Sequence, residues 1–261
     1  MVEIIVLGAK GRMGSTISRL VKQDRDFLLR AVLEKEENLE SLSKEYPDVW
    51  VGSELDKALE KYPQAVVIDF TAPAVSLDTI KICLKTKARL VMGTTGFKEK
   101  ELIILQEAAK QIPFLWAPNM SVGINVLLKI LPELVRLLGS KYDLEISEIH
   151  HRLKKDAPSG TALKLAQCLA EARGVELKEV ARYCREGLIG ERSDGEIGVQ
   201  TLRGGDVVGD HTVYFLGPGE RIEITHRAHS RETFAQGSLR AAKWLASQAA
   251  GRLYSMADVL T

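Results

Sequence analysis

Two adjacent histidines, His150 and His151, open the stretch of this 261-residue sequence that is richest in chemistry. Arg152, Lys154 and Lys155 follow, and the stretch runs on through Asp156-Ala157-Pro158-Ser159-Gly160-Thr161. Imidazole is the side chain whose ordinary pKa lies nearest neutrality, so it can both give and take a proton there. The Asp-to-Thr run reads as a turn that starts a helix. Ser and Thr cap such starts, and the backbone N–H groups at Ser159-Gly160-Thr161 suit an anion. Proton donors, fixed positive charge and an anion-binding helix start thus fall within about a dozen residues, which suits acid–base chemistry on an anionic molecule. The competing reading is a basic surface loop between a strand and a helix. What surrounds the stretch decides between them.

Composition narrows the setting. Hydrophobic residues make up 45% of the chain and charged ones 27%, which is ordinary for a soluble globular protein. The formal net charge is +1, so no overall field favours nucleic acid or an anionic membrane, and neither is expected as a partner. Cys83, Cys168 and Cys184 are odd in number and widely spaced, with no CxxC pair. That argues against a disulfide framework and against a metal site, fits a reducing cytoplasm, and makes all three small buried hydrophobes. Val2–Leu7 is too short for a signal peptide, and no apolar run reaches membrane-spanning length.

The elements that would position such chemistry begin at the first residues. Val2–Leu7 is an apolar, β-rich run of the kind that forms a buried parallel strand. Gly8-Ala9-Lys10-Gly11-Arg12-Met13-Gly14 follows at once, and Ser15–Lys22 then shows helical spacing at Ile17, Leu20 and Val21. Strand, glycine turn and helix is the context in which such a loop binds a pyrophosphate. The spacing is G-x-x-G-x-x-G rather than the usual G-x-G-x-x-G. A second strand at Phe27–Leu33 ends at Glu34, twenty residues after Gly14. An acid there suits the ribose hydroxyls of NAD, and Lys35 beside it suits the extra phosphate of NADP. The pair therefore predicts tolerance of both.

Further strands at Ala65–Phe70, Arg89–Met92 and Phe114–Trp116 alternate with helices near 74–85 and 98–110. The fold class is α/β, with a doubly wound, Rossmann-type parallel sheet. Ligands in such sheets sit beyond the carboxyl ends of the strands. Gly93-Thr94-Thr95 and Ala117-Pro118-Asn119-Met120 are therefore expected beside the glycine loop at a dinucleotide cleft.

The pattern changes in the second half. Val122–Leu138 is helical, with a kink or break expected at Pro132. Asp143–His151 alternates, which puts Leu144, Ile146, Glu148 and His150 on one face and Glu145, Ser147, Ile149 and His151 on the other. The two histidines then have different jobs. Thr161–Ala172 reads as a helix with Leu163, Ala166, Leu169 and Ala170 inward, and 180–194 as a long, mobile excursion. Strands near 197–202, 212–216 and 222–229 precede a last helix at 231–248. The division is a first domain at 1–121, with 231–261 packing back on it, and an α+β domain at 122–230 with an open mixed sheet.

The glycine loop, Gly93-Thr94-Thr95-Gly96 and Ala117-Pro118-Asn119-Met120-Ser121 resemble the cofactor motifs of the 4-hydroxy-tetrahydrodipicolinate (dihydrodipicolinate) reductase family. Glu148 through Ala162, with its H-H-R-x-K and D-A-P-S-G-T-A elements, resembles that family's signature, and the likeness reaches the Tyr254-Ser255-Met256 tail. The resemblance implies reduction of a cyclic unsaturated dicarboxylate by NADH or NADPH on the diaminopimelate and lysine route, by a homotetramer assembled through the sheet of the second domain. By motif position it implies His150 as acid/base and Lys154 as proton donor. His151, Gly160 and Thr161 become substrate contacts, with Ser159 beside them at the helix start and Thr95 touching substrate from the cofactor side. Gly8 to Met13, Glu34, Lys35, Gly93 to Thr95 and Ala117 to Met120 become cofactor contacts.

The chemistry of the residues agrees. Hydride delivered to one end of a C=C–C=N system leaves an enamine, which a placed general acid must protonate on carbon. Two other readings share much of the chain. Another nicotinamide-dependent amino- or imino-acid dehydrogenase would share the first half but not the segment from His150 to Thr161. A non-enzymatic NAD(P) sensor would usually carry a nucleic-acid module, and no such module is legible here.

Overall fold

The protein is described from a computed structural model covering residues 1–260. Two compact units divide the chain, one joining Met1–Val122 to the segment from Arg231 onward, the other running from Gly123 to Ser230. In chain order the first unit holds β1 (Val2–Leu7), α1 (Arg12–Gln23), β2 (Phe27–Leu33), α2 (Leu39–Glu45), β3 (Trp50–Gly52), α3 (Leu55–Lys61), β4 (Val66–Asp69), α4 (Pro73–Thr86), β5 (Arg89–Met92), α5 (Glu99–Ala109) and β6 (Phe114–Trp116). Then come α6 (Val122–Leu138), β7 (Asp143–His150), α7 (Gly160–Arg173), α8 (Leu177–Val180), β8 (Ala181–Arg182), β9 (Ile197–Arg203), β10 (Gly209–Gly217) and β11 (Glu220–Ala228). The chain closes with α9 (Glu232–Leu245), β12 (Leu253–Tyr254) and α10 (Met256–Val259), all in the first unit.

The first sheet is parallel throughout, in the order β12-β6-β5-β4-β1-β2-β3. Its strands are apolar without interruption because both faces are covered. Ile4, Val6, Val66 and Ile68 point into a core with Ile17 and Val21 of α1 and Leu239 and Ala242 of α9. Ile5, Leu7, Val67 and Leu90 point the other way, onto Leu59, Ile80, Cys83 and Leu105 of α3, α4 and α5. The strand order reverses at β1, which pairs with β2 on one side and β4 on the other. The crevice beyond their carboxyl ends is where such a sheet takes its ligand. The sheet has seven strands where the sequence pattern marked five. The extra two, β3 and β12, are edge strands of three and two residues, too short to carry a period.

The second unit is built on a mixed sheet in the order β11-β10-β7-β9-β8. Here β10 runs antiparallel to β7 and β11, while β9 runs parallel to β7 and β8. Leu144, Ile146, Glu148 and His150 of β7 are buried, as alternation requires. The aliphatic pair packs with Leu131 of α6 and Leu165 and Leu169 of α7 in one core. Both expected architectures, the Rossmann-type sheet and the α+β unit with a mixed sheet, are therefore present.

Some details differ from the sequence reading. Helix α6 continues through Pro132 without ending there. In α7 it is Leu165 that is fully buried, while Leu163 is only half-buried. The expected excursion at 180–194 is anchored: Arg185 is bidentate to Glu145 at 2.9 and 2.6 Å, and Arg192 reaches Asp143 at 2.6 Å. Charge, not apolar period, holds that segment down, so the pattern did not show it. The strand expected from Thr212 starts at Gly209. All three cysteines are free thiols, and Cys184 is exposed instead of buried. No helix of the described residues is long and apolar enough to cross a membrane.

Candidate active site

In the first unit the glycine loop turns on Gly8, whose φ of +67° a side chain would resist. The Gly11 N–H donates to the Gly8 carbonyl at 2.9 Å, and Ser15 N–H to the Gly11 carbonyl at 3.0 Å. A Cβ on Gly14 would stand 2.1 Å from the Gly8 oxygen, so only glycine lets α1 start this close to the loop. Helix α1 has no side-chain cap and no acid in its first turn, which leaves its N–H groups for an anion. The Glu34 carboxylate accepts from Lys10 N–H at 2.9 Å and from Lys35 N–H at 3.0 Å, which fixes it at the end of β2. The Lys10 ammonium pairs with Glu45 instead, at 2.9 Å.

These residues line a cleft of about 900 Å³. Gly8, Lys10, Gly11, Arg12, Met13, Glu34 and Lys35 are all on its wall, joined by Ser53, Glu54, Asp56 and Thr71, which the sequence reading missed. The volume and the glycine cradle fit a dinucleotide. Ala9, expected here, is buried and donates its N–H to the Leu33 carbonyl at 3.1 Å.

The other two expected segments follow β5 and β6 and do not line that cleft. Gly93 is a glycine because a Cβ would strike the Phe70 ring at 2.1 Å. Thr94 is buried, takes a hydrogen bond from Ser76 Oγ at 2.8 Å, and gives its carbonyl to Trp116 Nε1 at 3.0 Å. Thr95 and Pro118 are exposed. Ala117 and Met120 are buried, and Asn119 Oδ1 accepts from Ser121 N–H at 2.9 Å. The Met120 side chain belongs to the core of the unit. Any ligand contact at these two buried residues falls to their backbone.

In the second unit the end of β7 meets the start of α7. His150 Nδ1 lies 2.5 Å from Glu148 Oε2, and Glu148 is wholly buried. Arg203 of β9 grips that carboxylate with two bonds of 2.8 Å, and Thr201 Oγ1 donates to it at 3.3 Å. The Ser159 N–H, expected for an anionic ligand, is instead taken by Glu148 at 2.9 Å. Ser159 also caps α7, its Oγ accepting from Ala162 N–H at 3.1 Å and lying 3.2 Å from His211 Nε2. The His150 and His211 rings meet edge to face, centroids 5.2 Å apart. Gly160 is exposed and Thr161 half-buried at the same helix start. His151, past the strand end, is half-buried and donates its N–H to the Val207 carbonyl at 2.8 Å. Lys154 Nζ lies 2.9 Å from Asp156 Oδ1.

Burial lowers the His150 pKa, with Lys154 and Arg203 adding to it and Glu148 opposing. His211 is pushed down to about 4, by burial first and then by His150. For Glu148 burial acts upward, but Arg203, His150 and the Ser159 N–H outweigh it and hold the carboxyl down to about 2. The group is thus an ionised carboxylate between a cation and a neutral imidazole, beside a capped helix start. It can move a proton next to a place for an anion. Arg203 and His211 were not singled out from the sequence. Glu148 was placed on the same strand face as His150 without a role, although a buried acid always demands partners.

The comparisons with known proteins cover both halves. A family model described as "Dihydrodipicolinate reductase, N-terminus" matches residues 2–120, and its C-terminal counterpart matches residues 123–260. The 4-hydroxy-tetrahydrodipicolinate reductase of Nitratidesulfovibrio vulgaris is 60% identical over 256 residues, 98% of each chain. The enzyme of that name from Oleidesulfovibrio alaskensis is 58% identical over 259 residues, 99% of each. Among solved structures, the dipicolinate-bound dihydrodipicolinate reductase of Paenisporosarcina sp. TG-14 is similar with a TM-score of 0.76 and 26% identity, over 98% of this chain and 97% of that one. A probable dehydrogenase from Thermotoga maritima, at 13% identity and a TM-score of 0.64, shares the fold alone. With a glycine cleft in one unit, an acid–base cluster in the other and both halves matched, the chain belongs to the dihydrodipicolinate reductase family.

Proposed function

We propose that this chain reduces 4-hydroxy-tetrahydrodipicolinate with His150 as its acid/base residue and Lys154 as proton donor. The chain is an NAD(P)H-dependent oxidoreductase of the diaminopimelate and lysine route. The observation that carries the residue roles is the His150–Glu148 pair set beside the Ser159-capped start of α7. A reduced nicotinamide, held by Gly8, Lys10, Gly11, Arg12, Met13, Glu34 and Lys35, supplies hydride. Reduction of the conjugated system leaves an enamine that must gain a proton on carbon, and a placed general acid contributes ~10²–10⁴-fold to such a step. His150, which burial keeps neutral, first takes a proton on its free ring nitrogen from Lys154 and then passes that proton to the enamine carbon. The N–H groups of Gly160 and Thr161 at the helix start hold a carboxylate, with His151 assisting. Thr95, an exposed hydroxyl, is proposed as one more substrate contact.

The homotetramer that the resemblance implies is proposed through the outer face of the mixed sheet, where Leu202 stays half exposed. Free thiols and reductive biosynthetic chemistry support a cytoplasmic location. The test is a coupled assay in which the preceding synthase generates substrate and oxidation of NADH or NADPH is followed. His150→Gln is expected to lower kcat far more than it raises KM. Unchanged turnover in that variant would remove His150 from the reaction.

A further inference from the structure

Glu148 and His150 sit two residues apart on the same face of β7, so the strand itself aims one at the other. Glu148 is 0% exposed, and both of its oxygens are in use. Oε1 accepts from Ser159 N–H at 2.9 Å, Arg203 Nη2 at 2.8 Å and Thr201 Oγ1 at 3.3 Å. Oε2 accepts from Arg203 Nη1 at 2.8 Å and faces His150 Nδ1 at 2.5 Å. A carboxylate only accepts, so the proton in that last bond belongs to Nδ1. Nε2 is then the ring atom left to exchange a proton, in the neutral and the charged imidazole alike. Arg203 also donates to the Asp156 carbonyl at 2.7 Å, so the clamp that holds Glu148 reaches into the loop carrying Lys154.

A second observation concerns the space in front of Nε2. Gly209, at the start of β10, is not among the glycines with positive φ, so no unusual backbone requires a glycine there. What it lacks is a side chain. A Cβ at Gly209 would stand 2.9 Å from His150 Nε2 and 3.3 Å from Cδ2.

We infer that Glu148 is the positioning residue of His150: clamped by Arg203 and Ser159, it accepts a hydrogen bond from Nδ1–H and leaves Nε2 facing a space that Gly209 keeps clear. The inference rests on His150 being the acid/base group. The charged and titratable groups around the ring are Glu148 on its own strand, Arg203 from β9, His211 from β10 and Lys154 from the following loop. Only Glu148 and Arg203 are placed to set the tautomer, because Arg203 fixes the carboxylate that fixes the ring. Holding an imidazole in the wrong tautomer is known elsewhere to cost several orders of magnitude while the geometry survives.

The test begins with the wild-type protein. In a long-range ¹H–¹⁵N spectrum of ¹⁵N-histidine-labelled protein, the His150 signals are those lost in His150→Gln. At neutral pH they are expected to show Nδ1 protonated and Nε2 bare, and a ring protonated on Nε2 overturns the inference. Glu148→Gln is expected to mix the two tautomers and lower kcat about 10²-fold with KM within about threefold. In the His150→Gln background the same change should cost less than about twofold, because it then has no ring to act through. An equal loss in both backgrounds overturns the inference. Gly209→Ala should move the His150 resonances and lower kcat with Glu148 intact, and normal kcat with unmoved resonances removes Gly209 from the proposal. If His150→Gln alone turns over normally, the acid/base reading fails, whereas the wild-type spectrum still decides the tautomer.

Discussion

Lys154 Nζ lies 2.9 Å from Asp156 Oδ1, two positions on in the same loop, and the pair is half open to water: Asp156 is 60% exposed and Lys154 21%. An exposed ion pair of this kind is worth ~0–1 kcal/mol, so Asp156 restrains the ammonium only weakly. On the role proposed for Lys154, a substrate carboxylate would take its place. Asp156→Asn is therefore expected to leave kcat and KM within about threefold of wild type. Lys154→Ala should damage both, since charge and proton leave together. Lys154→Arg separates them: it restores KM but not kcat, because a guanidinium keeps its proton at any working pH. Steady-state kinetics of the three variants decide it, and near-normal Lys154→Ala would return Lys154 to solvated charge.

Glu34 and Lys35, proposed as cofactor contacts, yield a second expectation. Glu34 is fixed by the N–H groups of Lys10 and Lys35, which leaves it further lone pairs for ribose hydroxyls. Lys35 stands beside it for a phosphate, whereas the Lys10 ammonium is drawn off to Glu45. Acid and base offset each other, so kcat/KM for NADH and NADPH should lie within about tenfold, ~1.4 kcal/mol. Glu34→Ala should lower kcat/KM for NADH several-fold and leave NADPH almost unchanged. A strong preference for either in the wild type would show the pair to be a poor guide.

How much of this was legible depended on the length of each signal. The run Val2–Leu7 into Gly8, Gly11 and Gly14 marked β1 and the turn into α1, although α1 starts at Arg12 and not at Ser15, since burial on both faces and a steric need for glycine write themselves locally. Alternation in β7 likewise put Glu148 and His150 on one face, which the fold buries. What stayed hidden was pairing across the sheet. Nothing near Arg203 or His211 in the chain says that β9 and β10 flank β7, so their contacts with Glu148 and His150 appear only in three dimensions. Arg185 and Arg192 were hidden for the same reason, as charges that meet Glu145 forty and more positions earlier.

A third prediction tests how closely α9 packs. A Cβ on Gly237 would stand 1.8 Å from the Met120 carbonyl oxygen and 2.8 Å from its carbon, and backbone cannot swing aside as a side chain can. Alanine in a helix interior normally gains about 1 kcal/mol over glycine. Here overpacking against the chain at Met120 should cost about 1–3 kcal/mol and more than cancel it. Gly237→Ala is expected to lower Tm by several degrees in a calorimetric scan. A Tm equal to or above wild type would mean that α9 moves freely from that carbonyl.

The buried cluster also predicts a stability profile that falls on the acid side. His211 takes a proton near pH 6.5 when unfolded but is pushed down to about 4 in the fold, chiefly by burial. Between those values the unfolded chain binds more protons, so stability is full above pH 6.5 and is lost as pH falls toward 4. His150, lowered for the same first reason, acts in the same direction. Glu148, ordinarily near 4.5 and held down to about 2 by Arg203, His150 and Ser159 against its burial, carries the loss on from 4.5 toward 2. At ~1.4 kcal/mol per pKa unit, His211 alone is worth roughly 3 kcal/mol, and its coupling to His150 and Glu148 makes the sum less than additive. Urea midpoints followed by circular dichroism should therefore drop between pH 7 and pH 5 in the wild type. His211→Gln, which cannot charge, should flatten that slope. An undiminished slope in the variant would move the acid sensitivity to other groups.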